Sequence, residues 1–387
     1  MSVLIFILIL SFLVLIHELG HFFVARRAGV IIEEFGIGYP PRAIKLFVWK
    51  GTVFSLNWIP FGGFVRMAGE EGQTGDEVPA ASHQKDKRNK SQDQTSKGMF
   101  YQASNINKLL IIVAGAAVNF IFGVVAFTIV FGWMGIPVEL TEARIAQVAE
   151  GSPAHKAGLQ PGVSIIGLLT ETEDHVEIHT SQQLVDKIRE HQGKTVKLMT
   201  TGPCQGMECE PNGQTVETYL RTQAETPEGQ GSLGIVFEPV VFVRYPWWQM
   251  PFRSVWYGLQ QAVFLGQEII RALGAVGKDF VSKGSVPDEL AGPVGIVHQA
   301  QASGLFSQGP LALLSFMGML SVNLAIMNML PIPPLDGGRA VLILISPLMS
   351  KKYLQRVEYY ASYSGYIALI LLIILITIRD VGRVIFS

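Results

Sequence analysis

Four stretches of the 387-residue chain are long and almost free of charge: Val3–Ala25, Leu109–Met134, a run within Gly304–Leu335, and Ala361–Ile378. A helix needs roughly 17–25 apolar residues to cross a bilayer, so the pattern predicts four transmembrane helices. The segments between them read differently. Thr52–Ile59 is β-prone and aromatic, and Pro60–Gly63 with Phe64 and Val65 completes a hairpin pattern with apolar faces. Residues 70–97 are polar and aperiodic, the composition of a disordered linker, where His83 is not expected to be a ligand. Residues 136–239 form a soluble-looking block, with a helix expected over Ser181–His191 and a strand over Thr195–Met199. After it, Trp247, Trp248 and Trp256 accompany a helix-like apolar stretch, which reads as an interfacial helix.

Composition sharpens this picture. Hydrophobic residues make up 49% and charged residues only 16% of the chain, against about 25% charged in soluble domains. Net charge is −1, which leaves no nucleic-acid footprint. The first run lacks a basic leader and a small-residue cleavage site, so it is expected to stay as a span. Arg26, Arg27 and the basic residues from Lys85 to Lys108 follow the first span, and Arg339, Lys351, Lys352 and Arg356 follow the third. Positive loops face the cytoplasm, so the N-terminus and the 136–239 block are expected outside, although Arg379 and Arg383 on the tail oppose that assignment. Cys204 and Cys209 fall in that outer block, as a disulfide or as two unpaired residues.

The chemistry sits inside the first span. His17-Glu18-Leu19-Gly20-His21 is an H-E-x-x-H motif. Positions i and i+4 share one helix face, so both imidazoles can reach one metal ion, with Glu18 beside them as a base for a water. Out of context such a motif is often chance, and a lone His on an apolar helix is usually a satisfied core residue. Within a membrane span that alternative weakens, because lipid offers these groups no partner. A catalytic zinc takes three protein ligands and one water. Asp336 is the candidate third ligand: it is the acidic residue at the cytoplasmic end of the third run, at the depth expected for His21. Pro331, Pro333 and Pro334 cannot continue a helix, so an extended stretch is expected there. Asn328, at that break, can offer an amide to a peptide backbone. The alternative is an ordinary helix end, with Asp336 opening a Gly-rich turn.

H-E-x-x-H in the first span, with Asn328-x-x-Pro331-x-Pro333-x-Leu335-Asp336-Gly337, resembles the site-2 protease family of intramembrane metalloproteases, and within it the bacterial regulator-of-sigma-E protease type. Gly115-Ala116-Ala117-Val118-Asn119 resembles that family's G-P-x-x-N segment, with Ala116 where Pro is common. Phe54–Met67 resembles its membrane-reentrant β-loop, and Gly292–Ile296 its G-P-x-G-I stretch. Gly151-Ser152-Pro153-Ala154 and Ala157–Gly162 resemble PDZ domains of envelope proteases, with Val163 in place of the usual Asp. The outer block has room for one PDZ domain, where relatives of this type often carry two. The resemblance implies a reentrant sheet edge, including Gly63 and Phe64, that holds substrate as an added strand.

The expected fold is therefore a polytopic α-helical membrane protein with four spans, a membrane-associated β-hairpin and one inserted extracytoplasmic α+β PDZ domain. Its expected organisation begins with the motif helix over 1–30, the reentrant β region over 31–69, the cytoplasmic linker over 70–107 and the second span over 108–135. The PDZ domain over 136–240, the interfacial helix and connector over 241–303 and the third span over 304–340 come next. A cytoplasmic loop over 341–360 and the fourth span with its tail over 361–387 complete it. The expected activity is intramembrane zinc endoproteolysis of single-span membrane proteins, anti-sigma-factor-like or signal-peptide in type, in the bacterial inner membrane. One Zn2+ is held per chain by His17, His21 and Asp336, with Glu18 as base. Substrate contacts fall to Asn328, Pro331, Pro333, Gly63 and Phe64, and the PDZ domain takes a peptide. The rival readings are a non-catalytic PDZ scaffold, which a broken motif would favour, and a zinc transporter. Transport would spread polar groups through the bilayer depth, whereas Asn119 and Asn323 are the few extra ones here.

Overall fold

The computed structural model describes residues 2–70, 98–170, 175–227, 229–283 and 292–386. The expected linker from residue 71 to 97, with His83, lies outside the described residues. In chain order come α1 (Ser2–Arg27), β1 (Ile32–Trp49), β2 (Thr52–Met67) and α2 (Asn105–Met134). Then follow β3 (Ile136–Glu139), β4 (Ala143–Val148), α3 (Pro153–Lys156), β5 (Val163–Leu169), β6 (Val176–Glu177) and α4 (Ser181–Glu190). After these come β7 (Thr195–Gln205), β8 (Glu208–Cys209), β9 (Thr215–Tyr219), β10 (Ile235–Phe237) and β11 (Val240–Val243). The chain ends in α5 (Met250–Lys283), α6 (Pro293–Ala302), α7 (Pro310–Asn328), α8 (Asp336–Ile345) and α9 (Lys351–Phe386). Two compact units result: residues 1–130 with 255–387, and residues 131–254.

In the first unit, four helices among the described residues are long and apolar enough to cross a membrane: α1, α2, α7 and residues 359–380 of α9. The helices meet through small residues, the arrangement that membrane packing favours. A Cβ on Gly20 of α1 would stand 2.5 Å from the carbonyl oxygen of Ala114 in α2. A Cβ on Gly123 of α2 would stand 2.5 Å from Val322 Cγ2 of α7. Side chains at either position would push the helices apart.

β1 and β2 form an antiparallel pair that folds back on itself. Residues 34–37 align with 63–66 on one side and with 53–56 on the other, while residues 42–49 align with 52–57. The curl needs close backbone approach. Gly36 lies under the Phe64 ring and Gly38 has φ +79°, while buried Asn57 donates to the Gly38 carbonyl oxygen at 3.0 Å. Glu34 is buried and accepts from Arg42 at 2.6 and 2.8 Å and from Ser55 at 2.6 Å, with Arg66 at 3.4 Å. Burial alone would raise the Glu34 carboxyl, but these donors outweigh it and hold it below the usual carboxylate range. Among the described residues no strand pairs with the far side of residues 63–66, which form a sheet edge.

The third span departs from expectation at its end. The Pro-rich segment is a series of tight turns, not an extended stretch: Ile332 N donates to Leu330 O at 2.7 Å and Leu335 N to Ile332 O at 2.9 Å. The reason is the pair Gly337-Gly338. Both are buried, and a Cβ on either would overlap backbone of residues 329–333, so the start of α8 folds back against the turns. Gly365 of α9 packs directly on the carbonyl of Pro333 in the same way.

The second unit is α+β. A seven-stranded sheet runs β10-β4-β5-β7-β8, with β6 beside β5 and β9 beside β7, and β11 pairs with β3 separately. Alternation in β7 buries Val196, Leu198 and Thr200. Leu184 and Ile188, four apart on α4, join them in one core with Ile145, Ile165 and Leu220. Thr180 caps α4 by accepting from Gln183 N, and Ser152 caps α3 by accepting from His155 N, both at 3.1 Å. Cys204 and Cys209 are bonded as a disulfide, opposite one another on β7 and β8. Buried Arg144 donates to the Gly206 carbonyl at 2.7 Å within that hairpin.

This self-contained core predicts that residues 131–254 fold when expressed alone. The expected result is a single cooperative thermal transition, and Leu184→Ala should lower stability by about 2–5 kcal/mol. A fragment that melts without cooperativity would show that the unit depends on the rest of the chain.

Candidate metal centre

α1 presents His17 and His21 on one face because they are four residues apart. Both are buried, and Asp336, the first residue of α8, reaches the same point. The Nε2 atoms of His17 and His21 are 3.1 Å apart, and Asp336 Oδ2 lies 2.9 Å from the first and 3.4 Å from the second. Ligand atoms about 2 Å from a tetrahedral zinc ion stand roughly 3.3 Å from one another, so this triangle has the spacing of three zinc ligands. Two nitrogens and one carboxylate oxygen, with room for a fourth position, is also the donor set of a catalytic site.

Three residues of α2 at successive four-residue steps complete the surroundings. Ile111 accepts from His21 Nδ1 through its carbonyl at 2.8 Å. Asn119, fully buried, lies with its Nδ2 3.4 Å from His17 Nδ1. Between them, Gly115 leaves the space in which the imidazoles converge. A Cβ there would come within 2.5 Å of His21 Nε2 and 2.7 Å of His17 Nε2.

A cavity of about 190 Å³ opens on this cluster, lined among others by Glu18, Tyr39, Gly63, Phe64 and Arg339. Glu18 therefore faces the same space as the two histidines. Gly63 of the free sheet edge passes directly over it, its built Cβ position 3.9 Å from Glu18 Cγ. Asn328, Pro331 and Pro333 do not line the cavity. Asn328 closes α7, and Pro331 and Pro333 belong to the turns that aim Asp336. The sequence does not single out the polar lining residues Tyr39, within β1, Glu70, just after β2, and Arg339, which donates to Glu70 at 2.7 Å. Arg339 follows Asp336 by one helical turn, a spacing visible in the sequence once a helix starts at Asp336.

Gly115→Ala is expected to strip bound zinc while leaving the protein folded, because its methyl would occupy the space between the two Nε2 atoms. Metal content of the purified variant, beside its thermal melt, checks this. Full zinc occupancy would show that the imidazoles meet elsewhere.

The profile of peptidase family M50 matches residues 5–372. A zinc metalloprotease named RasP from Geobacillus kaustophilus is 26% identical over 442 residues, covering 99% of this chain and 98% of the relative. A candidate zinc metalloprotease of Campylobacter jejuni is 28% identical over 383 residues, covering 98% and 93%. Another, of Brucella suis, is 30% identical over 348 residues, covering 87% and 83%. With a family match over almost its whole length and the zinc-spaced His-His-Asp triangle among its apolar helices, the chain belongs to peptidase family M50, the site-2 proteases, and is a membrane zinc metalloendopeptidase.

Proposed function

We propose that the protein cuts single-span membrane proteins within or near the bilayer, with His17, His21 and Asp336 as the zinc ligands and Glu18 as general base. The observation that carries this reading is the convergence of those four residues on one cavity beside a free strand edge. When bound, zinc supplies Lewis-acid polarisation of the peptide carbonyl and acidifies a water. Glu18 takes a proton from the attacking water and returns it to the leaving amide nitrogen. Residues 63–66 bind the substrate as an added strand. This suits a substrate that arrives as a helix, because helical peptide bonds are hidden until the segment unwinds. Gly63 and Phe64 then lie along the bound strand, while Asn328, Pro331 and Pro333 guide it at the end of the third span.

The second unit is read as one PDZ domain facing away from the cytoplasm, in the inner membrane of a bacterium. Its α+β sheet, the capped helix α4 and the Gly151–Ala154 and Ala157–Gly162 motifs support the PDZ reading. Its disulfide supports an oxidising compartment. There it either takes a peptide or keeps out substrates that still carry a bulky outer domain, after an earlier cut by another protease. A non-catalytic scaffold finds no support at a site with motif, base and cavity all intact.

Glu18→Gln is expected to abolish cleavage and to keep zinc, while Asp336→Asn lowers both. Cleavage of a single-span substrate and metal content of the same preparations separate the roles. An active Glu18→Gln enzyme would sink the mechanism, and unchanged zinc in Asp336→Asn would move the third ligand elsewhere.

Deleting residues 141–238 is expected to leave cleavage of trimmed substrates and to release cleavage of untrimmed ones. Equal cutting of both by the full-length enzyme would rule out a size filter.

A further inference from the structure

We propose that Asn119 is the positioning residue for His17, its carboxamide accepting from Nδ1–H so that Nε2 is left to the metal. The proposal rests on the reading of His17 as a zinc ligand. A ligating imidazole gives one nitrogen to the metal and donates a proton from the other to a fixed acceptor. His21 already has that acceptor. Its Nδ1 lies 2.8 Å from the Ile111 carbonyl oxygen, which accepts only, so the lone pair falls on Nε2.

His17 is arranged differently. Its Nδ1 faces the Asn119 amide nitrogen at 3.4 Å, and its Nε2 stands 2.9 Å from Asp336 Oδ2. With Nε2 given to the metal, the His17 proton would sit on Nδ1 and would need an acceptor there. The same side chain holds one: Asn119 Oδ1 is buried and without a hydrogen-bond partner. Half a turn of the carboxamide presents Oδ1 to Nδ1–H. A carboxamide can therefore accept from His17 Nδ1–H, which an apolar residue cannot. Among the described residues no other hydrogen bond reaches His17 Nδ1.

Asn119 is also held firmly enough for the task. Its carbonyl oxygen accepts from buried Ser321 Oγ of α7 at 2.8 Å. One turn further along α2, Gly123 packs closely on Val322. The backbone that carries the carboxamide is thus tied to the helix that leads to Asp336.

The test uses the detergent-purified full-length protein and two readouts: zinc affinity by competition with a chelator, and the visible spectrum after Co2+ substitution. Asn119→Leu, similar in size without the acceptor, is expected to weaken zinc about 10–100-fold, as loss of an outer-shell partner does, and to alter the Co2+ bands. Asn119→Asp, isosteric and still an acceptor, should hold zinc at least as well as the unaltered protein and keep the spectrum. Should Asn119→Leu fail to fold, Asn119→Ala is measured in its place. Unchanged affinity and spectrum in the Leu or Ala variant, or equal weakening in the Asp variant, would overturn the proposal. His17→Ala is the control for the underlying reading. If it keeps zinc, His17 is not a ligand, whereas zinc loss there with full binding in Asn119→Leu defeats the positioning role alone.

Discussion

The transmembrane unit answers one constraint: two imidazoles and two carboxyl groups must be kept in a region where lipid satisfies none of them. A polar group left alone in hydrocarbon costs several kcal/mol. The two imidazoles and Asp336 are therefore turned toward one another, and Glu18 faces the cavity beside them. The ring nitrogens and Asp336 Oδ2 stand within 3.4 Å of their neighbours, and the outer nitrogen of each ring faces α2. The same inward turn that satisfies the groups creates a three-ligand triangle, so stability of the bundle and capacity for metal come from one arrangement.

Close approach is what makes that arrangement possible, and it follows from where side chains are missing. Gly20 lets α1 rest on the backbone of α2, Gly115 empties the space between the rings, and Gly337 and Gly338 let α8 fold back so that its first residue points inward. A methyl at any of these positions would separate elements that must touch. The hairpin uses the same device, since Gly63 allows a strand to pass over Glu18 without covering it. Under the proposed mechanism, a base beneath a strand edge that is unpaired among the described residues would place the attacking group beside an extended peptide, where the bond to be broken is exposed.

Much of this was legible in the sequence, for physical reasons that differ from element to element. The helix period alone put His17 and His21 on one face, and an acid at the end of an apolar run singled out Asp336. From sequence the Pro-rich break reads as extended, but prolines forbid helix without choosing between strand and turn. That choice was made by the buried pair Gly337-Gly338, which acts only once the chain has folded back. The hairpin was visible as a β-prone run, but not its double pairing. That register depends on the approach of Gly36 to Phe64 and of Asn57 to Gly38, residues some 20 to 30 positions apart, which no local pattern encodes.

The role of α2 lay between these cases. Gly115 and Asn119 interrupt the apolar run of α2, and their spacing of four, with Ile111 one step earlier, defines a single stripe. What the sequence lacked was the partner of that stripe. Once it lies on α1, the three positions divide the work by what each exposes: a backbone carbonyl at Ile111, an absent side chain at Gly115 and an amide at Asn119. Motif residues can supply ligands from one helix. In the proposed reading, the orientation and clearance of those ligands come from a second helix that offers none.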